Sequence, residues 1–236
     1  MLRLVTFDLD GTLYANSTYV PGLIWRWFTG NFASAPWTTL KRVRAARLYQ
    51  KARESLRARG QVTDLKAEAF AEAARSSGYP EAFVRETIDA LIYANPFEGS
   101  AAHVFPGTHE TLVVLKSRGL KLAVLSDYPV DTKLQALGLA DVGWDLLMSA
   151  EDVNALKPHP ALFAEACARL AVDPADALHV GDRPDCDTAG ARAAGMKTLL
   201  FRGEGRPPRP GPRADYEAAS YAALRTIVET LAGVGG

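Results

Sequence analysis

Long hydrophobic runs are absent from this sequence. No uninterrupted apolar stretch reaches about 18 residues, which is roughly what a membrane-spanning helix requires. No basic segment followed by a long apolar one comes before the first predicted strand, so a secretion signal is not indicated. We therefore expect a cytoplasmic protein that does not contact a membrane.

Cysteine is scarce as well. Cys167 and Cys186 are the only two among 236 residues, and they form neither a CxxC pair nor a Cys/His cluster at zinc spacing. A disulfide framework is therefore not expected, and a reducing compartment fits this composition.

An excess of either charge is also lacking, since Lys plus Arg and Asp plus Glu both number 27. That balance excludes a global electrostatic attraction to nucleic acid.

The apolar residues that are present predict a parallel sheet. Five short runs are nearly continuous in hydrophobicity, as in strands that helices cover on both faces: residues 2–7, 120–125, 144–148, 177–180 and 196–201. Helical patterns lie between them, near residues 108–118, 130–138, 159–171 and 186–195, and a Pro/Gly-rich loop at residues 203–213 precedes a last predicted helix near residues 216–231. The expected fold class is α/β, with a doubly wound, Rossmann-like parallel sheet. Ligands of such sheets bind beyond the carboxyl ends of the strands.

Two carboxylates lie at the end of the first predicted strand. Asp8 and Asp10 are two residues apart. In an extended backbone, residues i and i+2 project to the same side, so both carboxylates can point into one site. Gly11 allows a sharp turn after them, and Thr12 supplies a nearby hydroxyl. Paired acids of this kind can hold a divalent metal and supply both a nucleophile and a proton shuttle. An ordinary strand followed by an Asp-Gly turn is the alternative.

Three later segments repeat this placement of polar residues after strands. Ser126 and Asp127 follow the second run, Lys157 precedes a proline, and Gly181-Asp182-Arg183-Pro184-Asp185-Cys186-Asp187 follows the fourth run. DxDGT, a hydroxyl, Lys-Pro and GDxxxxD in this order resemble the haloacid dehalogenase-like hydrolase superfamily. The resemblance runs through essentially the whole chain, although residues 14 to 100 differ in kind.

The resemblance implies phosphoryl transfer through an aspartyl-phosphate. Asp8 is the expected nucleophile, and Asp10 the expected acid and base for the leaving oxygen and for water. Lys157 is expected to neutralise charge between nucleophile and phosphate. The groups expected to contact the phosphate are Gly11, Thr12, Ser126, Asp127 and Lys157. For Asp127, where many relatives carry Asn, contact with the substrate and mere ordering of the loop both stay open.

The resemblance also implies a Mg²⁺ ion. Its expected ligands are Asp8, the backbone carbonyl of Asp10, and Asp182, with waters completing an octahedron. Asp187 is the expected further acidic support, through a water or by orienting Lys157. Asp185 lies in the same loop, so the sequence leaves the choice between the two acids open, and the GDxxxxD spacing favours Asp187.

The long stretch between the first two motifs predicts an inserted helical cap. A βαβ unit needs only about 30 residues, and helical spacing is found instead over residues 39–59, 63–77 and 80–94, with Thr63 as a candidate N-cap. We expect a catalytic core of residues 1–13 and 104–236 and a cap of residues 14–103, with hinges near 14–19 and 96–103. Tryptophans at 25, 27 and 37 are expected in the core of the cap.

A basic run crosses the predicted cap, and its default interpretation is a solvated helix face. The alternative is that one or two of its members hold a second anionic group of the substrate: Lys41, Arg42, Arg44, Arg47, Lys51, Arg53, Arg57 and Arg59. Other polar cap residues, such as Asn16, Thr18 and Arg26, are equally consistent with surface positions.

These observations predict a Mg²⁺-dependent phosphatase acting on a small phosphorylated metabolite, as a monomer or homodimer. Haloacid dehalogenases lack an acid at the position of Asp10, because a halide leaving group needs no proton. A phosphomutase that uses the same nucleophile is the nearest alternative. A non-catalytic binding protein on a retained hydrolase fold is the alternative from another class.

Overall fold

A single parallel sheet forms the centre of the molecule in the computed structural model, which describes residues 1–95, 97–203 and 209–233. Its order is β3-β2-β1-β4-β5-β6, and every neighbouring pair is parallel. The strands are β1 Leu4–Phe7, β2 Lys121–Ser126, β3 Leu146–Ser149, β4 Ala177–Gly181, β5 Lys197–Phe201 and β6 Tyr216–Ala218. The prediction of a doubly wound parallel sheet is confirmed.

Helices cover both faces of this sheet. The α-helices of the described residues, which include those of an insertion that packs mainly away from the sheet, are α1 Asn16–Phe32, α2 Pro36–Arg59, α3 Leu65–Ser77, α4 Glu81–Ile88, α5 Thr108–Ser117, α6 Asp131–Leu137, α7 Ala161–Arg169, α8 Ala189–Ala193 and α9 Tyr221–Ala232. Val5 and Phe7 pack with α5, α6 and α9 on one face, whereas Leu4 packs with α7 and α8 on the other. Successive strand residues point to opposite faces, and helices cover both faces of β1. Every residue of β1 is therefore buried, which explains why its sequence is continuously hydrophobic.

The carboxyl ends of three central strands meet where the strand order reverses. β1 pairs with β2 on one side and with β4 on the other. Asp8 comes directly after β1, Ser126 ends β2, and Asp182 comes directly after β4. The sheet topology therefore brings together residues that are far apart in the chain, at the crevice where such sheets bind ligands.

A helical insertion, residues 16–103, separates β1 from β2 in the chain. It contains α1 to α4, a π-helical turn at Asp89–Tyr93 and a 3₁₀ turn at Ser100–His103. Tyr49, Leu56 and Phe70 belong to a core that holds α2, α3 and α4 together and that also takes in Ala150 and Leu156 from outside the insertion. The division into a core and a separate cap domain stays a prediction, and Pro96, in one predicted hinge, lies outside the described residues.

Four elements differ from the prediction. The helix α1 was not predicted, and α2 begins at Pro36 rather than at residue 39. A short strand, β6, pairs with β5 where the last helix was expected to start at residue 216. That helix, α9, begins after Ser220, whose hydroxyl accepts a hydrogen bond from the Ala223 N–H. Residues 204–208 of the predicted Pro/Gly-rich loop lie outside the described residues.

Local predictions in the insertion were also wrong in places. The N-cap of α3 is Asp64 rather than Thr63, because the Asp64 carboxylate accepts the Ala67 N–H at 2.8 Å. Trp25 and Trp37 are 67% and 77% exposed, so they are not core residues of the insertion. In the described ranges, we find no helix that combines the length and apolarity required to cross a membrane.

Candidate active site

A buried ion pair between Asp8 and Lys157 is the centre of the site. Asp8 is fixed at the end of β1 by a hydrogen bond from its N–H to the carbonyl of Val180. The Lys157 Nζ lies 2.5 Å from Asp8 Oδ1 and 2.7 Å from Asp187 Oδ1. Both side chains are buried, and they come from positions 149 residues apart. Charge-assisted hydrogen bonds of this kind hold a lysine in one position.

The charges of this cluster shift the pKa of each member. Burial holds the pKa of Asp8 well above its usual range, with the carboxylates of Asp187 and Asp182 adding to the effect and the Lys157 charge opposing it. Burial acts to lower the pKa of Lys157, but Asp187 and Asp8 outweigh it, so that pKa is raised. Burial likewise acts to raise the pKa of Asp187, and Lys157 outweighs it, so that pKa is lowered. The lysine is therefore charged at neutral pH.

Three buried carboxylates have the donor set of a divalent cation site. Ligand oxygens of Asp8, Asp182 and Asp187 all lie within 4.8 Å of one another. Carboxylate oxygens suit Mg²⁺ in preference to zinc. A cation among them offsets the repulsion that raises the pKa of Asp8, so these residues fit a Mg²⁺ ion. Arg209 Nη1 lies 3.1 Å from Asp182 Oδ2 at the edge of this cluster.

Gly11 permits the close approach of β1 and β4 at this point. Its φ of +97° lies in the region that L side chains rarely adopt, and a Cβ there would lie 2.4 Å from Asp182 Oδ2. The predicted glycine is therefore required both for the turn after Asp10 and for the position of Asp182.

Asp187 and Asp185 occupy different environments. Asp187 is buried, and besides Lys157 it accepts the Arg183 N–H at 3.0 Å, while His179 Nε2 lies 3.4 Å away. Asp185 points outward, is 54% exposed and pairs with the Arg183 guanidinium at 2.7 Å. Of the two acids that the sequence left open, Asp187 is the one that lies in the cluster with Asp8 and Asp182.

Asp10 faces a different part of the crevice from the three clustered carboxylates. The Lys133 Nζ lies 2.8 and 3.0 Å from its two oxygens, and the Tyr14 hydroxyl donates to Oδ1. Burial acts to raise the pKa of Asp10, but Lys133 and Tyr14 outweigh it, so that pKa is lowered. Neither partner was predicted from the sequence. Tyr14 follows the DxDGT motif and lies four residues after Asp10. That short separation is the signal in the sequence that could have indicated the contact of Tyr14 with Asp10.

The remaining predicted residues surround Asp8. Thr12 Oγ1 donates to Asp8 Oδ2 at 3.3 Å, and Ser126 is buried at the end of β2. Asp127 accepts the Lys157 N–H at 3.2 Å and an Arg57 N–H at 3.0 Å. Its carboxylate therefore connects the lysine loop to α2, while contact with the substrate and ordering of its own loop both stay predictions.

Part of the basic run reaches the site rather than solvent. The Arg53 guanidinium is buried, donates to the carbonyl of Asp127 and lies 3.6 Å from Glu151. Arg57 donates to the carbonyl of Lys157 as well as to Asp127. A solvated face was therefore the wrong interpretation for these two arginines, although acidic and carbonyl groups of the protein already occupy them.

A cavity of about 630 Å³ connects the strand ends with the helical insertion. Asp8, Asp10, Ser126, Asp127 and Lys157 line its floor. Its other walls come from α1, α2 and the segment after α4, including the predicted residues Asn16 and Arg47. Thr18 and Arg26 instead make hydrogen bonds to His103 and to the carbonyl of Glu98. The volume is in the range of pockets that enclose small molecules.

Comparison with known proteins assigns the family. The family model described as haloacid dehalogenase-like hydrolase matches residues 2–195, which include each of the predicted catalytic and metal-binding positions. The chain is a haloacid dehalogenase-like hydrolase. The resemblance inferred from the motifs is thereby confirmed, together with the prediction that the chain is a hydrolase by family.

Two curated relatives of this hydrolase illustrate the range of names in the family. Haloacid dehalogenase-like hydrolase domain-containing protein 3 of Mus musculus is 36% identical over 131 residues, which are 55% of this chain and 52% of that protein. Glyceraldehyde 3-phosphate phosphatase of Methanopyrus kandleri is 38% identical over 120 residues, which are 50% of this chain and 51% of that protein. The chain thus spans about half the length of these relatives.

Solved structures match this haloacid dehalogenase-like hydrolase over nearly its whole length. A HAD phosphatase from Thermococcus onnurineus superposes with a TM-score of 0.66 at 25% identity, covering 96% of this chain and 98% of that one. A 2-haloacid dehalogenase from Pseudomonas syringae has a TM-score of 0.67 at 25% identity, covering 98% and 99%. The fold is therefore shared by proteins named for two different reactions.

Proposed function

We propose that this hydrolase is a Mg²⁺-dependent phosphatase that hydrolyses a small phosphorylated metabolite through an aspartyl-phosphate on Asp8. The observation that carries the proposal is the position of Asp10, which lies in the same cavity as Asp8 and is held there by Lys133 and Tyr14. An alkoxide leaving group needs a proton and a halide does not, so a second acid favours phosphate esters over haloacids. Relatives named as phosphatases support the same choice.

In the first half-reaction, an Asp8 carboxylate oxygen attacks phosphorus as the bond between phosphorus and the ester oxygen breaks. The protonated form of Asp10, which Lys133 makes the minor form in the free site, gives its proton to the departing oxygen, so the alcohol leaves neutral and Asp10 becomes a carboxylate. Lys157, beside Asp8, offsets the repulsion between the carboxylate and the phosphate. Ser126 supplies a hydroxyl at the same floor of the cavity to donate to a phosphoryl oxygen.

In the second half-reaction, water attacks the same phosphorus and the bond to Asp8 breaks. Asp10 takes a proton from that water, which restores both acids and releases inorganic phosphate. Asp8, Asp182 and the Asp10 carbonyl, with support from Asp187, would hold a Mg²⁺ ion, and that ion would supply positive charge next to the phosphoryl oxygens. Asp187 keeps Lys157 in position through its hydrogen bond to Nζ.

The test is phosphate release by the purified chain from a broad panel of phosphomonoesters, with Mg²⁺ and with EDTA. We expect activity that disappears in EDTA, returns with Mg²⁺ or Mn²⁺ and is blocked by Ca²⁺, whose looser coordination misplaces the nucleophile. Asp8→Asn should lower kcat at least about a thousandfold. Release of no phosphate from any ester, or full activity of Asp8→Asn, contradicts the proposal. Faster transfer to a sugar hydroxyl than to water identifies a phosphomutase instead.

A further inference from the structure

The face that α1 turns to the cavity is apolar after its first residue. Val20, Leu23, Ile24 and Trp27 line the cavity, and their spacing of three, four and seven residues places them on one side of the helix. Trp25, two residues from Trp27, is 67% exposed and does not line it. The half-buried side chains of Val20, Leu23 and Trp27, with Ile24 at 53% exposed, therefore form this wall over two helical turns.

The helix α2 crosses the cavity with a gradient of polarity. Near its carboxyl end, Arg53 and Arg57 line the cavity and bond to the loops of Asp127 and Lys157. Toward its amino end, the lining residues are Val43, Ala46 and Arg47, and Gln50 lies between the two groups. At 1.5 Å per residue, Val43 lies about 21 Å along the helix from Arg57. The cavity is therefore charged at the strand ends, and Arg47 is the charged side chain that α2 adds to the otherwise apolar lining of its amino-terminal half.

The segment after α4 closes the apolar end. Ile88, Leu91 and Ile92, from the end of α4 and the π-helical turn that follows, line the cavity there, whereas Phe97 lines it beside Lys133. A leaving group that extends from the phosphate site into this region meets methyl groups and rings on three sides. A polar leaving group loses hydrogen bonds with water there, whereas an apolar one gains free energy by leaving water.

We propose that the substrate is a phosphate monoester of a partly apolar alcohol, whose alkyl or aryl group lies between α1, the amino-terminal half of α2 and the segment after α4. This inference rests on the proposed phosphatase activity and adds the class of leaving group to it. The occupant follows from continuity, since one cavity joins the apolar walls to the Asp8 and Lys157 floor. The alkyl or aryl group replaces water in the apolar region, while the phosphoryl group lies beside Asp8 and Lys157 as in any other phosphate ester.

The direct test is a homologous series from methyl phosphate to octyl phosphate, compared by kcat/KM in the presence of Mg²⁺. Each methylene that enters the apolar region should raise kcat/KM about fourfold, until the region is filled. Phosphate release with a flat or falling series overturns the inference and leaves the phosphatase intact. A bisphosphate or carboxylated ester at the head of the ranking also overturns it, because Arg47 at the cavity wall then reads an anionic group.

A matched pair of variants localises the effect. Trp27→Ala should reduce the ratio of kcat/KM for octyl over methyl phosphate at least about tenfold, because it removes a large apolar surface from the wall. Trp25→Ala, on the outer side of the same helix, should leave that ratio unchanged. Val43→Thr keeps the side-chain shape and adds a hydroxyl, so it should lower the ratio even if Trp27→Ala disturbs α1. An unchanged ratio in both Trp27→Ala and Val43→Thr overturns the inference.

Binding separates the two proposals without turnover. Octylphosphonate should bind the wild-type protein with Mg²⁺ more tightly than methylphosphonate, and with a more negative heat-capacity change, in isothermal calorimetry. Tighter binding without hydrolysis of any ester contradicts the phosphatase but supports the apolar site. Equal binding of the two phosphonates contradicts the apolar site, whatever the activity.

Discussion

Among single residues, Lys133 has the clearest consequence for the proposed chemistry. It extends from α6 to both oxygens of Asp10, and its ammonium lies 4.9 Å from the centre of the Phe97 ring. A charge this close favours the carboxylate form of Asp10, the form that accepts a proton from water. The Tyr14 hydroxyl binds the same carboxylate and fixes its orientation. Lys133 is therefore a positioning residue that acts through Asp10.

Replacing Lys133 by methionine keeps the length of the side chain and removes its charge. With only Tyr14 left to orient Asp10, we expect Lys133→Met to lower kcat about 10- to 100-fold with little change in KM, measured on any accepted phosphomonoester. Lys51→Met, at an exposed position of α2, is the control and should behave as wild type. A kcat for Lys133→Met within twofold of wild type excludes the positioning role.

The two acids of the fourth motif should respond differently to amidation. Asp187→Asn removes a charge-assisted bond to Lys157, so we expect at least about a hundredfold loss of kcat and a higher Mg²⁺ requirement. Asp185→Asn removes only an exposed pair with Arg183 and should stay within about twofold of wild type. Steady-state kinetics over a Mg²⁺ titration compares them, and the reverse ranking assigns the metal support to Asp185.

Residues that follow strands could be predicted, because the carboxyl ends of parallel strands meet at one edge. Asp8, Ser126 and Asp182 lie there as expected, and Lys157 joins them. Lys133 could not be predicted in the same way. Its side chain reaches Asp10 only because the fold places α6 near the end of β1. The two residues are 123 positions apart in the chain, and no local sequence pattern encodes such a contact.

At the scale of an element, the start of α3 allows the stabilising effect of a helix cap to be compared at two adjacent residues, Thr63 and Asp64. Asp64 accepts the Ala67 N–H, whereas the Thr63 side chain has no cap hydrogen bond among the described contacts. We expect Asp64→Ala to lower the free energy of unfolding by about 1 kcal/mol and Thr63→Ala by a few tenths, from urea denaturation. Equal losses in the two variants contradict the assigned cap.

The elements that the sequence did not predict have physical explanations. In α1, Pro21, Gly22 and Gly30 interrupt the helical signal, and its apolar residues face a cavity and solvent in addition to a core. The strand β6 has only three residues, too few for a pattern of burial, and α9 follows it after two residues. The pairing with β5, and not local propensity, determines that residues 216–218 form a strand.

For the whole molecule, metal binding should be visible as stability. A ligand that binds only the folded state adds about 2.7 kcal/mol at a hundred times its Kd. We expect Mg²⁺ to raise the Tm of wild type, because it relieves repulsion among Asp8, Asp182 and Asp187. Asp182→Asn should lose this rise in a thermal shift assay.

The matched control for that assay is Asp141→Asn, at a site whose side chain is 73% exposed. It should keep the full rise in Tm with Mg²⁺. A Tm of wild type that does not change up to millimolar Mg²⁺, or an equal rise in Asp182→Asn, contradicts the assigned site.

If the proposed apolar leaving group is correct, we expect the bond from Arg57 to the Lys157 carbonyl to couple the size of that group to turnover. The same helix, α2, carries the apolar wall at one end and this bond to the lysine loop at the other. Free energy released when an apolar group settles against Val43 therefore also favours the position of α2 that keeps Lys157 beside Asp8. Part of the affinity for a longer leaving group should then be expressed as a higher kcat and not only as a lower KM.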